Sequence, residues 1–307
     1  MTLARRCVPP ILLAVALGAA APAPARAQLV LAESETLDFD RPESWGMKYY
    51  ASLALLTGMG VPQKRAAGGI DLGIEGGYVP PLSDAERRLG FNGTKQEDVN
   101  KTRFFGRVRG SVGLGKGVAL ELAYTPPVER GGATANILAL ALGRPIELAP
   151  SWRLGVRGYG QIGTIEGDIT CSAEEVAAGD DLPANPFQCV RPSEDKARQK
   201  AVGLELVAGY DGRSRFKPYA GVGFDYMDLE FDVDAVYSDG RVEDHTVQTT
   251  SGTTVFATAG LTFAASKRLC VTAELFYSWL KVVRPPSTTS ANEGVLNGRV
   301  FVSYRVR

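Results

Sequence analysis

The 307-residue chain is short of several things, and each shortage narrows its function. Beyond residue 27 no apolar run reaches 18 residues, so no transmembrane helix is expected. Lys and Arg number 34, as do Asp and Glu, and no basic patch stands out, which excludes nucleic acid as a partner. There is one histidine, His245, and no grouping of His, Cys and carboxylates at metal-ligand spacing, so neither metal nor cofactor is expected. Four cysteines are too few for a disulfide scaffold.

What is present begins with an export signal at 1–27. Arg5 and Arg6 form the charged region, 11–21 the apolar core, and Ala25-Arg26-Ala27 a small-residue cleavage site. The apolar run is too short for an anchor. Cleavage removes Arg5, Arg6 and Arg26 and leaves 31 basic against 34 acidic residues, a net charge of −3. In an oxidising compartment, Cys171 and Cys189, in one polar segment, are expected to form a disulfide. Cys270 falls on the inward register of a strand, as a small filler.

The dominant signal is period-two alternation. In 201–231, Val202, Leu204, Leu206, Ala208 and Tyr210 alternate with Gly203, Glu205, Val207 and Gly209; after a polar turn, Ala220, Val222, Phe224 and Tyr226 alternate with Gly221, Gly223 and Asp225. Such alternation marks a strand with two unlike faces. It recurs at 46–57, 69–79, 102–114, 118–126, 135–146, from 152, at 252–264, 268–281 and in the last strand. That makes eleven strands, with 35 Gly, 11 Tyr and 12 Phe in keeping. Ser83-Asp84-Ala85-Glu86 predicts a short helix in 83–90. Asn92-Gly93 reads as a turn. Tight turns and longer loops alternate along the chain.

With its export signal, alternating strands and asymmetric connections, the chain resembles Gram-negative outer-membrane β-barrel proteins as a class, although it ends Tyr304-Arg305-Val306-Arg307 rather than on an aromatic residue. The resemblance implies an all-β, antiparallel, up-and-down transmembrane β-barrel of 10–12 strands spanning 46–307. It also implies outer-membrane lipid and lipopolysaccharide as partners. Barrels of this kind have an even strand count: either 28–40, within the lead-in, plug or extra strand at 28–45, supplies a twelfth, or one weak strand, 46–57 or 135–146, is no strand and the count is ten. Twelve is the favoured expectation.

The same register turns Asp71, Glu75, Glu121, Glu205, Asp225 and Glu274 inward with Arg103, Arg107, Arg109, Arg153, Arg157, Arg299 and Arg305. Stranding a buried charge costs several kcal/mol, on the order of 3–5, so these groups need partners. A selective pore calls for one sign in excess. The near balance favours a closed Arg–carboxylate network in a filled lumen, with a structural or passive-transport role. The alternative is a surface interaction protein acting through its loops. A hydrolase would have to use His245, near Ser251, but no triad spacing surrounds it. The acidic tract Asp228, Glu230, Asp232, Asp234, Asp239, Glu243 and Asp244 lacks the spacing and glycine of a calcium loop and reads as solvated.

Overall fold

The computed structural model describes residues 29–306, and the export signal expected at 1–27 lies outside them. The alternating segments become ten antiparallel strands: β1 (Ile70–Tyr78), β2 (Phe104–Gly115), β3 (Val118–Arg130), β4 (Ala133–Ala149), β5 (Trp152–Gly167), β6 (Asp195–Tyr210), β7 (Phe216–Asp232), β8 (Val247–Ala264), β9 (Leu269–Trp279) and β10 (Val295–Arg305). Each pairs with its neighbours in sequence. Pairing of β10 with β1, from Arg299↔Gly77 to Arg305↔Asp71, closes the ring.

The two faces differ as the alternation requires. Along β6, Val202, Leu204 and Leu206 point out and are exposed, whereas Ala201, Glu205 and Val207 point in and are buried. Outward aromatic pairs gather in two bands. Trp152–Tyr210 and Phe216–Phe263 sit at one end; Tyr78–Phe104 and Tyr277–Trp279 sit at the other. Above the second band the outer surface becomes charged, with Lys200–Asp228 at 3.2 Å and Lys196–Glu166 at 2.5 Å. An apolar belt between aromatic girdles is the lipid-facing surface of a membrane barrel.

Two strand expectations are corrected. Residues 46–57 are not a strand: α1 (Pro42–Leu53) is a helix standing inside the barrel. Of the possible strand at 28–40, residue 28 lies outside the described residues, and 29–40 add no stave either. Leu29–Leu31 pairs with Val242–Asp244 at the loop end, and Ser34–Thr36 lies parallel to the first residues of β8, in the place that the shorter β9 leaves open. The barrel therefore has ten strands rather than twelve.

Pro42 sits at the start of α1 with Glu43 in the first turn, both favourable at a helix N-terminus. Every α1 residue but Tyr50 is buried. Trp45, Tyr49 and Leu53, four apart, pack against Val79, Leu280 and Val295; Met47, Ala51 and Leu55 pack on the opposite side against Ala123, Ala139, Ala141 and Ala201. Small wall residues make the room. Gly223 is one that must stay small, since a Cβ there would lie 2.3 Å from the Phe256 ring.

At one end the barrel connections are short, at 116–117, 150–151, 211–215 and 265–268. At the other they are long, at 79–103, 168–194, 233–246 and 280–294. One connection departs from the expected asymmetry: β3 and β4 join at the loop end through Gly131 and Gly132 alone, both with positive φ. The helix expected in 83–90 is a single turn. Ser83 and Glu86 still exchange their capping bonds, but Arg88–Leu89 leave as strand.

Candidate functional site

The chain enters the barrel from the loop end, runs down it as α1, and continues as an extended strap through 54–62 toward the turn end. A helix leaves its last four carbonyls without intrahelical partners, and cations are favoured there. Four wall arginines supply both needs. Arg299 donates to the carbonyls of Ser52 (3.2 Å), Leu53 (3.3 Å) and Leu55 (2.7 Å) and to Thr57 Oγ1 (3.2 Å). Arg107 donates to Ala54 (2.7 Å) and Leu55 (3.3 Å), Arg157 to Leu56 (2.9 Å), and Arg109 to Thr57 (2.8 Å).

Three of these arginines also pair with wall carboxylates. Glu75 accepts from Arg107 at 2.7 Å and Arg109 at 2.6 Å. Glu121 bridges Arg109 and Arg157, and Glu205 takes Arg157 at 2.8 Å while accepting the Gly58 N–H at 2.8 Å. Glu274 accepts Thr57 Oγ1 at 2.6 Å and the Tyr219 hydroxyl at 3.0 Å. Eight of the expected inward charges thus meet at one level: Glu75, Arg107, Arg109, Glu121, Arg157, Glu205, Glu274 and Arg299. The four arginines and Glu205 bond the backbone of the strap, which a strand at 46–57 would have placed in the wall.

Five others lie elsewhere. Asp71 is held by Arg65 and Arg305 at the turn-end mouth, where Arg153 pairs with Asp211 at 2.7 Å. Asp225 is buried in the wall and accepts from Thr254 at 2.6 Å; it forms no ion pair among the described residues. Arg103 is exposed, immediately before the first residue of β2 at the loop end.

The strap divides the interior. Toward the turns lies an open vestibule of about 540 Å³, lined by Arg65, Arg144, Arg213, Lys217, Lys267 and Arg305 among others. Toward the loops lies a cavity of about 450 Å³, walled by Met47, Tyr50, Leu89, Val99, Ile169 and Phe231 and edged by Glu33, Glu35, Glu43, Glu97 and Asp244.

The loops close over this cavity as a cap. Cys171 and Cys189 are bonded, S–S 1.96 Å, and cluster with Val233, Ala235 and Tyr237. A short helix, Ala173–Ala178, is started by a Ser172/Glu175 capping box that sequence reading passed over. Lys95 donates to Glu97 at 2.5 Å; burial nevertheless pushes the Glu97 carboxyl up to about 8. His245 lies between Glu243 (3.1 Å) and Asp234 (3.6 Å), and its backbone N–H holds the Leu31 carbonyl. Ser251 is exposed on the outward register of β8, next to the inward Thr250, so it does not face the lumen. Four residues of the acidic tract meet basic neighbours: Lys200 takes Asp228, Arg198 takes Glu230 and Asp232, and Arg191 takes Asp234. Among the described residues no group of three or more His, Cys or carboxylates is placed to hold a metal.

A closed ring of strands, an apolar outer belt between girdles, and short turns opposite longer loops define an integral outer-membrane β-barrel. No protein-family model and no curated protein matches the chain. Solved structures similar to it include the outer membrane protease OmpT of Escherichia coli, at 11% identity over 83% of this chain and 100% of that one, TM-score 0.43. Another is the translocator domain of the autotransporter NalP of Neisseria meningitidis, at 11% identity over 80% and 90%, TM-score 0.39. A third is the attachment invasion locus protein Ail of Yersinia pestis, at 12% identity over 78% and 99%, TM-score 0.32.

Proposed function

We propose that the protein is a closed barrel that works at the outer face of the membrane through its cap, not a passive pore. The observation that carries this reading is the strap at 52–57, held in mid-lumen by Arg107, Arg109, Arg157 and Arg299. Each guanidinium there is buried; releasing the strap would take backbone acceptors from all four and leave Arg299, which forms no ion pair among the described residues, without its main partners. Solute moving through the lumen would have to displace it. What remains for interaction is the disulfide-tied cap, its acid-edged apolar cavity, and the N-terminal strands Leu29–Leu31 and Ser34–Thr36 woven into it.

The reading requires this woven segment to face the medium. Val30 is exposed at the loop end, and Lys116 sits in the tight turn at the other. In intact cells, a membrane-impermeant maleimide should label V30C and leave K116C unlabelled until the membrane is opened. The reverse pattern would place the cap in the periplasm and end the surface reading. A hydrolytic reading has one observation in its favour, the carboxylates flanking His245, but among the described residues no Ser, Thr or Cys side chain bonds that ring.

A further inference from the structure

The barrel wall is incomplete between β2 and β3. Their ladder runs from the turn up to Val108↔Tyr124 and stops there. Above that level Phe104–Arg107 pair only with β1, and Thr125–Arg130 pair only with β4, through a bulge between Thr125 and Val128. Pro126 and Pro127 fall in that bulge and have no N–H to offer, which suits a strand edge without a neighbour. On the opposite edge Thr102 Oγ1 takes the place of a ladder partner, accepting from Phe104 N at 3.3 Å and donating to its carbonyl at 2.9 Å.

A cavity of about 260 Å³ fills this gap, and it has two kinds of wall. Its outer lip is Ile74, Phe104, Val108 and Val128, which belong to the lipid-facing belt and are 51–66% exposed. Its inner end is Leu53, Ala54, Ile137 and Ile165, buried luminal residues exposed by at most 9%. The space therefore passes through the wall, from bilayer to plug helix. It opens at the level of the upper aromatic girdle, where Phe104 packs on Tyr78 at 5.8 Å. No long loop overhangs it from β3, because the β3–β4 connection is the two-glycine turn.

We propose that this window binds one acyl chain of lipopolysaccharide, entering sideways from the outer leaflet. Below the roughly 300 Å³ of a drug-sized pocket, the space suits a single hydrocarbon tail and not a whole lipid. A tail leaving the bilayer for an apolar slot gains nothing from water, since lipid is as apolar as the slot; preference has to come from packing and from the headgroup. Arg130, at the end of β3, lines the mouth, and Arg103 stands one residue before Phe104 of the lip. Neither forms an ion pair among the described residues, so both are available to the phosphates of lipid A. Tyr50 borders both the window and the cavity beneath the cap, which puts the tail within reach of the interior surface.

The test places the photocrosslinker p-benzoylphenylalanine at position 50 of the full-length protein in intact cells. Irradiation should give a protein–lipopolysaccharide adduct detected by immunoblot. Filling the slot with A135F should lower its yield at least tenfold, and the pair R103A and R130A about fivefold. The same photocrosslinker at the lip, position 104, should give adduct with or without A135F. At position 276, buried in the lumen on β9, it should give none. Heat-modifiable migration certifies folding of each variant. An adduct at 104 but none at 50 overturns the proposal. So does an adduct at 50 that contains only phospholipid, or one that A135F or the arginine pair leaves unchanged. The proposal rests on the cap facing the medium, since lipopolysaccharide lies in the outer leaflet; V30C labelling reports that orientation separately, and none of these readouts depends on whether the barrel conducts.

Discussion

Arg299 is among the largest fully buried side chains of the protein, and it spends its donors on the end of a helix. Replacing it with methionine keeps most of the volume and removes the charge that balances the helix carbonyls and the nearby carboxylates. R299M should cost about 3–5 kcal/mol, read as a lowered urea midpoint for the barrel in lipid vesicles. R299K, which keeps the charge but not the fork, should recover part of it. Glu97 gives a prediction in pH. Its folded pKa of about 8 lies above the ordinary carboxyl value, so the folded cap binds the extra proton. The stability it contributes is complete below about pH 4.5 and is lost as pH rises through about 8. Protease nicking in 168–194 should therefore accelerate between pH 5 and 9, and E97Q should flatten that rise; a rise of the same size in E97Q would contradict the assignment. At this scale the sequence is informative about face and silent about height. Period-two register turns Asp71, Arg153 and Arg305 inward as firmly as Arg107, yet they sit at the mouth, and Arg103 sits above the belt altogether. No pattern in the strands points to a partner that is backbone.

The helix shows how an element can hide. Apolar residues at 45, 47, 49, 51, 53 and 55 look like one face of a strand. In a helix buried all round they make two stripes, 45/49/53 and 47/51/55, each with the four-residue spacing of one helix face. Arg41-Pro42-Glu43 was the available clue, a proline at the first helical position with an acid behind it. The staves were legible because their two solvents, lipid and a polar lumen, impose alternation along almost every residue. The wall gap was not, since Pro126 and Pro127 read equally well as loop. The disulfide belongs to the cap and not to the staves. C171S with C189S should remove about 3 kcal/mol from the 168–194 segment in the chain-entropy picture. Proteolysis of that loop should become faster, while the heat-modifiable gel shift of the barrel stays as it is.

As a whole, the molecule is a cylinder whose interior belongs to its own N-terminal segment. That segment joins the cap above to the first stave below and is bonded along its length: Lys48 to the Lys281 carbonyl at 2.8 Å, Trp45 Nε1 to the Glu293 carbonyl at 2.9 Å, the four arginines to 52–57. Vestibule and upper cavity are dead ends on either side of it. Single-channel recording in planar bilayers asks the question most directly. The intact protein should give no stable conductance, and a variant lacking 42–57 that still shows the folded gel shift should give steady openings. Stable channels from the intact protein, unchanged by that deletion, would contradict the account.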